Sequence, residues 1–579
     1  MKNIMTISSS KTSYIDLFCI VFVLFMNPVS HFINFSLNVF SSDTIAYATM
    51  ARDLFTKGLL YIPCWGHIDT GLILPPLYPF LIACGRFFSP ETLNVAEYVS
   101  SLCALIFSVL IFLYLKKITN RIIAVVTLIP IQINCYYFVT GMIPLSETTF
   151  WLTLSGTLYL ILIINNDHEK ERKLTAFLAG LACCLVFLSR QIGIIVIVFT
   201  GIICVLQWLS APGKERKIVA GNIRFILLGL LIILLPYTAI LYYQTGESPL
   251  TQGFRKHNYM VTVKDPEILK EIKEYRTLPP ELLTQIKSAP NSDYGIIYAE
   301  RRRMRKLLPD ASEMYSYIIM EEDERPGYLK KAFSSFKNPK DYLSRFHNNI
   351  IHLDGPLGFL LITLFFILCF SPFLLKSNKI KFLNRVLLPF FIIFYIIIIS
   401  LLTDKIDRYI YILFPFCLMH ISIELYICFN AIMDILRVKR FSNIILPVSI
   451  FSIILLTTPN FFTAFDVIPK AGRMESEYDY FKKYTNRDPV FSLGPYYSYI
   501  AGGSFRILPD DSLDKVCIYG KKTGVRWLLI VRTPSIAGEL KFYNNSQWYY
   551  GQLLEKSYPD LVKFRIGTAD GVMALYEFL

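Results

Sequence analysis

Charge is scarce in this sequence: Asp, Glu, Lys and Arg make up 18% of its 579 residues, against 54% hydrophobic side chains. Mean hydropathy is +0.46. That much apolar side chain exceeds what one water-soluble surface can hide, which excludes an ordinary cytosolic globular enzyme. Histidine is rarer still, at 7 residues, and no Cys/His spacing resembles a zinc site. Cys19, Cys103, Cys183, Cys184, Cys204, Cys369, Cys417 and Cys428 fall inside apolar runs, where a thiol serves as a small apolar residue. Cys64 and Cys517 fall outside such runs and could pair as a disulfide. No Walker-type glycine loop and no internal repeat is present. The first apolar segment is too long for the core of a signal peptide and lacks a small-residue cleavage site, so it is expected to remain as a membrane span.

What the chain has in quantity is long stretches without charge. About 20 mostly apolar residues cross a bilayer core. Residues 17–42 contain no Asp, Glu, Lys or Arg, and equivalent runs cover 98–115, 122–146, 148–166, 174–189, 191–213, 225–246, 355–375, 386–403, 409–423 and 441–465. These runs predict a membrane all-α bundle of about eleven transmembrane helices. With a cytoplasmic N-terminus, the inner loops hold clusters such as Lys116-Lys117, Lys214 to Lys217 and Arg437 to Arg440. The short outer turns hold only Arg190, Lys405 and Arg408, the asymmetry of the positive-inside rule. The net charge of +14 therefore orients the protein in a membrane, and nothing calls for nucleic acid.

This topology puts residues 36–94, 244–354 and the tail on the outer side. The run Arg301-Arg302-Arg303-Met304-Arg305-Lys306 reads as a solvated or headgroup-facing helix surface. Residues 1–465 form the transmembrane domain on this reading. Residues 466–579 change texture, with helices expected at 475–484 and 496–501 and strands at 490–493, 526–531, 561–566 and 572–578, making a small extracytoplasmic α/β domain.

Residues able to do chemistry gather at the outer boundary. Asp43 opens the segment Ser41 to Phe55, whose apolar Ile45, Ala48, Ala51 and Phe55 recur at helical spacing and predict a short amphipathic helix along the membrane surface. An acid there caps the helix and can also serve as a general base toward an acceptor hydroxyl. Asp53 lies on the same segment. Glu147 stands at the outer edge of a span, where an ionisable group is costly unless wet, paired or bound to a cation. Arg190 and Arg408 occupy outer turns, and Arg255, Lys256 and His257 follow the span ending near 246; guanidinium and ammonium groups at that level suit a phosphate. A divalent metal bridged by Asp43, Glu147 and His67 or His257 is a further option. Acids and cations at one interface of a many-span bundle fit a sugar-phosphate lipid, with its tail among the helices and its phosphate against the cations.

The ordered pieces Ser42-Asp43-Thr44-Ile45-Ala46-Tyr47, Pro75-Pro76-Leu77-Tyr78-Pro79, Ser146-Glu147, Ser189-Arg190-Gln191, Asp407-Arg408-Tyr409 and the tail's Tyr496-Tyr497-Ser498-Tyr499 resemble the polytopic GT-C glycosyltransferases. The resemblance is greatest to bacterial relatives of protein O-mannosyltransferases and of the lipid A aminoarabinose transferase. It implies transfer of one sugar, with inversion, from a polyprenyl-phosphate donor to a lipid, glycan or protein acceptor outside the cytoplasmic (inner) membrane, with Asp43 as the essential acid. Tyr78 and Tyr409 become site candidates on the same ground. Thr44 and Leu74 stand where such proteins often carry a second acid and a histidine. The tail lacks a Trp-Trp-Asp signature, which argues against transfer of a whole oligosaccharide. The rival readings are a transporter or flippase of lipid-linked saccharides, which needs charges near mid-bilayer and paired broken spans, and a noncatalytic glycan-binding membrane protein.

Overall fold

The computed structural model describes residues 18–22, 25, 42–60, 74–88, 92–133, 145–166, 172–245, 303–307, 314–318, 343–344, 346–347, 354–375, 381–402, 412–436, 447–452, 481, 483–485, 488–492, 498, 501–509, 513–531, 533–534, 540–541, 560–567 and 573–579. The apolar runs fold as helices. In chain order these are α1 (Ser42–Lys57), α2 (Leu77–Gly85), α3 (Thr92–Ile118), α4 (Arg121–Ile133), α5 (Glu147–Asn166), α6 (Lys173–Ser189), α7 (Ile194–Ser210), α8 (Gly213–Thr245), α9 (Asp354–Cys369), α10 (Ser371–Leu374), α11 (Phe382–Leu402), α12 (Phe414–Ile435) and, in the tail, α13 (Leu513–Thr523). Among the described residues six helices are long and apolar enough to cross a membrane: Asn94–Ile118, Glu147–Asn166, Gln191–Ser210, Glu215–Thr245, Phe382–Leu401 and Phe414–Ile435. Arg121–Gln132, Lys173–Ser189 and Ile362–Leu374 are shorter apolar helices. The expected spans at 17–42 and 441–465 lie largely outside the described residues.

Of the six long apolar helices α5 is the most buried, the position of a helix enclosed by its neighbours on every side. Its Phe150, Trp151, Leu154, Leu158 and Leu162 are buried in one core with residues of α3, α4, α7, α11 and α12. Two of the hydroxyls it carries inward turn back on its own backbone, Thr153 donating to the Thr149 carbonyl at 2.8 Å and Thr157 to the Thr153 carbonyl at 2.9 Å, while Thr149 bonds the Cys103 thiol of α3. Inside a bilayer that internal satisfaction is the condition for tolerating them. At the last turn of α5 the Lys381 ammonium donates to the carbonyls of Asn165 and Asn166 at 3.0 and 3.2 Å, placing a cation at the negative end of the helix. Beside α5, helices α6 and α8 touch through small residues. A Cβ on Gly180 would meet the Ile226 carbonyl oxygen at 2.0 Å, and one on Gly229 would meet that of Phe177 at 2.1 Å. Only glycine permits this backbone-to-backbone approach.

Two expectations are corrected here. The stripe Ile45, Ala48 and Ala51 does not face lipid; all three are fully buried within the protein. Residues of α1 pack against Tyr78, Ile82 and Ala83 of α2 and Val95 of α3, because an apolar stripe is equally satisfied by protein and by lipid. Phe55 alone of the four points out, its ring 6.2 Å from Phe80 and 5.8 Å from Phe87. The basic run at 301–306 is not helical over its described part. Arg303–Leu307 forms strand β1, antiparallel to β2 (Met314–Ile318), and a charged edge suits a two-stranded ribbon whose partners satisfy its backbone.

The tail builds a five-stranded sheet from β3 (Pro489–Ser492), β4 (Ser504–Ile507), β5 (Trp527–Val531), β8 (Val562–Gly567) and β9 (Met573–Phe578) in the order β4-β3-β5-β9-β8. Between β5 and β8, β6 (Thr533–Pro534) and β7 (Leu540–Lys541) make a separate ribbon. Strand β3 runs parallel to β4 and β5, while β9 runs antiparallel to β5 and β8. Four of the five strands fall where sequence alternation places them, and α13 covers the sheet with Val516 and Cys517. Most of the expected helices at 475–484 and 496–501 lies outside the described residues. Cys64 lies outside them too, while Cys517 is a buried free thiol that burial pushes up to about 12.

Across the outer strands Glu577 accepts from Arg526 Nε at 2.7 Å and from Arg565 Nε at 2.5 Å. Burial alone would raise this carboxyl, but the two guanidinium groups outweigh it and hold it below the ordinary range. A carboxylate depressed in the folded state contributes stability that is fully present above its unfolded pKa of about 4.3 and is lost as the pH falls through the lower folded value. Thermal unfolding of the full chain should therefore lose a component below about pH 4.3 that the Glu577→Gln variant lacks at every pH.

Candidate functional site

The start of α5, the turn after α6 and the helix α1 converge at one end of the bundle. Ser146 precedes α5 and its carbonyl accepts the first helical N–H, from Phe150, at 3.0 Å. Glu147 then occupies the first turn, where the helix dipole favours an acid. Arg190 leaves α6 with an extended backbone (φ −152°, ψ 138°) before the 3₁₀ turn Gln191–Gly193. Its N–H donates to the Val186 carbonyl at 3.2 Å and its carbonyl accepts from Gly193 N–H at 2.8 Å. The turn is tight enough that a Cβ on Gly193 would meet the Val186 carbonyl oxygen at 2.4 Å, so glycine is required there. This geometry brings the Arg190 guanidinium to Glu147 as an ion pair with Nη1 2.5 Å from Oε1, the side chains only 7% and 4% exposed. Sequence reading placed both at the same boundary; their direct contact is a finding of the structure.

Helix α1 is tied to that pair by hydroxyls. Tyr47 Oη and Ser146 Oγ are hydrogen-bonded at 2.9 Å, immediately before Glu147 and one helical turn beyond Asp43. The Tyr47 ring meets that of Tyr78 edge-on, with centroids 5.2 Å apart. The Tyr78 hydroxyl in turn donates to the Ala96 carbonyl at 2.9 Å and bonds Ser100 Oγ at 2.7 Å. Tyr78 thus holds α1 and α3 together. Asp43 falls in the first turn of α1, and its side chain lies outside the described residues. Gly58, at φ +67°, ends the helix with its N–H on the Leu54 carbonyl, the left-handed terminus that glycine favours. Gln244 at the end of α8 grips that exit, donating to the Gly58 carbonyl at 2.7 Å and accepting from Leu60 N–H at 2.9 Å. Asp53 is buried in a local pairing with Arg52 and Lys57 at 3.3 and 3.1 Å.

On the neighbouring face of α5, Trp151 Nε1 donates to the Ile412 carbonyl at 2.9 Å. Ile412, just before α12, is thereby held against α5 one turn after Glu147. Arg408, Tyr409, His67, Arg255, Lys256 and His257 themselves lie outside the described residues. Among the described residues no group of three or more His, Cys, Asp or Glu is placed to hold a metal ion.

A second charged cluster, unread from sequence, sits at the opposite end. Helix α5 has 20 residues, or about 30 Å of length, and its far end adjoins the start of α11 through Lys381. There Arg385 Nε donates to Glu424 Oε1 at 3.1 Å, Arg385 Nη2 to Ser371 Oγ at 3.0 Å, and Ser371 Oγ to Glu424 Oε2 at 2.8 Å. Arg385 and Glu424 are 2% and 0% exposed along their side chains. The available signal was Glu424 itself, the acid that ends the charge-free run 409–423. Three helices are pinned by this satisfied triad, and it reads as structural.

A family model described as dolichyl-phosphate-mannose-protein mannosyltransferase matches residues 74–243, the stretch from the approach to α2 to the end of α8 that includes Glu147 and Arg190. Among solved structures, the oligosaccharyltransferase AglB of Archaeoglobus fulgidus, in complex with an inhibitory peptide and a dolichol-phosphate, is 12% identical; the match covers 97% of this chain and 80% of that one at a TM-score of 0.55. ArnT of Cupriavidus metallidurans, bound to undecaprenyl phosphate, is 10% identical, with 98% of each chain covered at a TM-score of 0.54. The chain has the GT-C fold. An oligosaccharyltransferase of Archaeoglobus fulgidus in complex with Zn and sulfate aligns at 10% identity over 95% of this chain and 79% of that one, with a TM-score of 0.53. No curated protein matches the sequence at a significant level. The resemblance drawn from scattered motifs is thus matched by a GT-C architecture along nearly the whole chain, with the family model covering the helices that supply the ion pair.

Removing one member of the far-end triad should show how much it stabilises. Glu424→Gln leaves Arg385 charged and buried, and should lower stability by about 3–5 kcal/mol. The double change Arg385→Met with Glu424→Leu should unfold near the wild-type temperature in detergent.

Proposed function

We propose that this chain is an integral membrane glycosyltransferase that moves a single sugar, with inversion, from a polyprenyl-phosphate-linked donor to an acceptor on the outer side of the cytoplasmic membrane. The observation that carries this reading is the buried Glu147–Arg190 pair, tied through Tyr47 and Ser146 to the helix that bears Asp43. It is supported by a fold similar to that of ArnT bound to undecaprenyl phosphate. On this reading residues 1–465 are the membrane domain, and 466–579 an α/β domain facing the outer aqueous phase.

The roles follow from charge. Asp43 is the base that takes the acceptor's proton, and Glu147 is the second acid of the site, toward acceptor or metal. Arg190, Arg408, Arg255 and Lys256 are contacts for the donor phosphate, whose negative charge grows as the glycosidic bond to it breaks. A preorganised guanidinium in a dry setting is worth most at that moment, when the leaving group acquires its full charge. The polyprenyl tail lies among the helices, in contact with membrane lipids.

Incubating the purified protein with a panel of polyprenyl-phosphate sugars and following which donor is consumed tests the reading. Asp43→Asn, inserted in the membrane at wild-type level, should abolish transfer; full turnover would remove Asp43 from the chemistry. Arg190→Ala should weaken donor binding more than acceptor binding, by about 10-fold or more, and an unchanged donor affinity would refute the phosphate role.

A further inference from the structure

We infer that Glu147 is a competing anion for Arg190, a positioning residue that restrains the arginine's grip on polyprenyl phosphate and so sets how readily that product leaves. The inference rests on the reading of Arg190 as a phosphate contact and adds a role for its partner. Its basis is the setting of the pair. Both side chains are almost wholly buried, with Nη1 and Oε1 2.5 Å apart. Glu147, in the first turn of α5, has a second source of stabilisation in the positive end of that helix. Arg190 is the C-cap of the 17-residue α6 and opens the extended link to a 3₁₀ turn, so each charge sits at the helix end that favours it. An incoming anion can therefore draw the arginine away at a smaller cost to the glutamate than the loss of an isolated buried pair would impose.

The charges of the two lipid species make this selective. The donor is a phosphodiester with a single negative charge, about equal to that of the carboxylate it must rival. Transfer forms the bond from the sugar to the acceptor oxygen and breaks the bond from the sugar to the phosphate oxygen, which keeps the electron pair, while Asp43 takes the acceptor's proton. The product is a phosphate monoester of about −1.5 to −2. Arg190 is thus shared with Glu147 while the donor is bound and is drawn fully to phosphate as the leaving group charges, an interaction that strengthens toward the transition state. Afterwards Glu147 competes for the arginine again and loosens the product.

A merely structural glutamate would, on removal, weaken lipid binding or leave it unchanged; a competing anion does the reverse. Binding of undecaprenyl phosphate to the full-length protein in nanodiscs, with undecaprenol as the uncharged control, separates them. Glu147→Gln should tighten undecaprenyl phosphate binding about tenfold without altering undecaprenol binding. Glu147→Asp, which keeps the charge at longer reach, should tighten it about two- to threefold, and supplies the measurement if the glutamine variant does not accumulate in membranes. Wild-type binding with no gain in either variant overturns the inference alone, as does an equal gain for undecaprenol. Failure of the wild type to bind undecaprenyl phosphate at all overturns the inference together with the proposed function.

Discussion

Two opposite charges withdrawn from water govern one end of this bundle. Transferring either into the interior alone would cost several kcal/mol, so the Arg190 guanidinium and the Glu147 carboxylate constrain each other's backbones. The constraint reaches α5 at its first turn and the link after α6 at a place where Gly193 allows no side chain. Once those two elements are fixed, the Tyr47–Ser146 hydrogen bond can seat α1, and Tyr78 can seat α1 on α3. The site is therefore a chain of mutually dependent placements with a charge pair at its origin.

The opposite end repeats the device with a different result. Arg385, Glu424 and Ser371 satisfy one another, and Lys381 closes the carbonyl end of α5. Between the two polar ends lies a core of large apolar side chains, with the hydroxyls of Thr153 and Thr157 turned back on their own helix. The candidate chemistry lies at one of those ends, and His420 and Ser422, near the middle of α12, are buried between them.

Much of this architecture is legible in the residues, because a bilayer imposes a length on every charge-free run. The helices from α3 to α12 follow those runs, and the strands at Val490, Trp527, Val562 and Met573 follow alternation. Strand β4 escapes because Ser504–Ile507 is short and directly follows Gly502 and Gly503. The facing of α1 escapes for another reason: a periodic stripe at Ile45, Ala48 and Ala51 reports that one side is apolar, not whether lipid or protein covers it. Glu147 and Arg190 are each recognisable as expensive groups at span ends. Their pairing is set by how α5 and α6 pack, a tertiary fact with no local signature, and the same holds for the Tyr47 hydroxyl on Ser146.

The indole of Trp151 has an implication for how the protein is made. Its N–H partner, the Ile412 carbonyl, belongs to a segment that emerges from the ribosome long after α5 has entered the bilayer. Until then the donor must find a provisional acceptor or remain unmet in hydrocarbon, which is costly. The last helices inserted thus complete the environment of the first ones, and a nascent chain interrupted before residue 412 would hold the glutamate-bearing helix without its permanent neighbour.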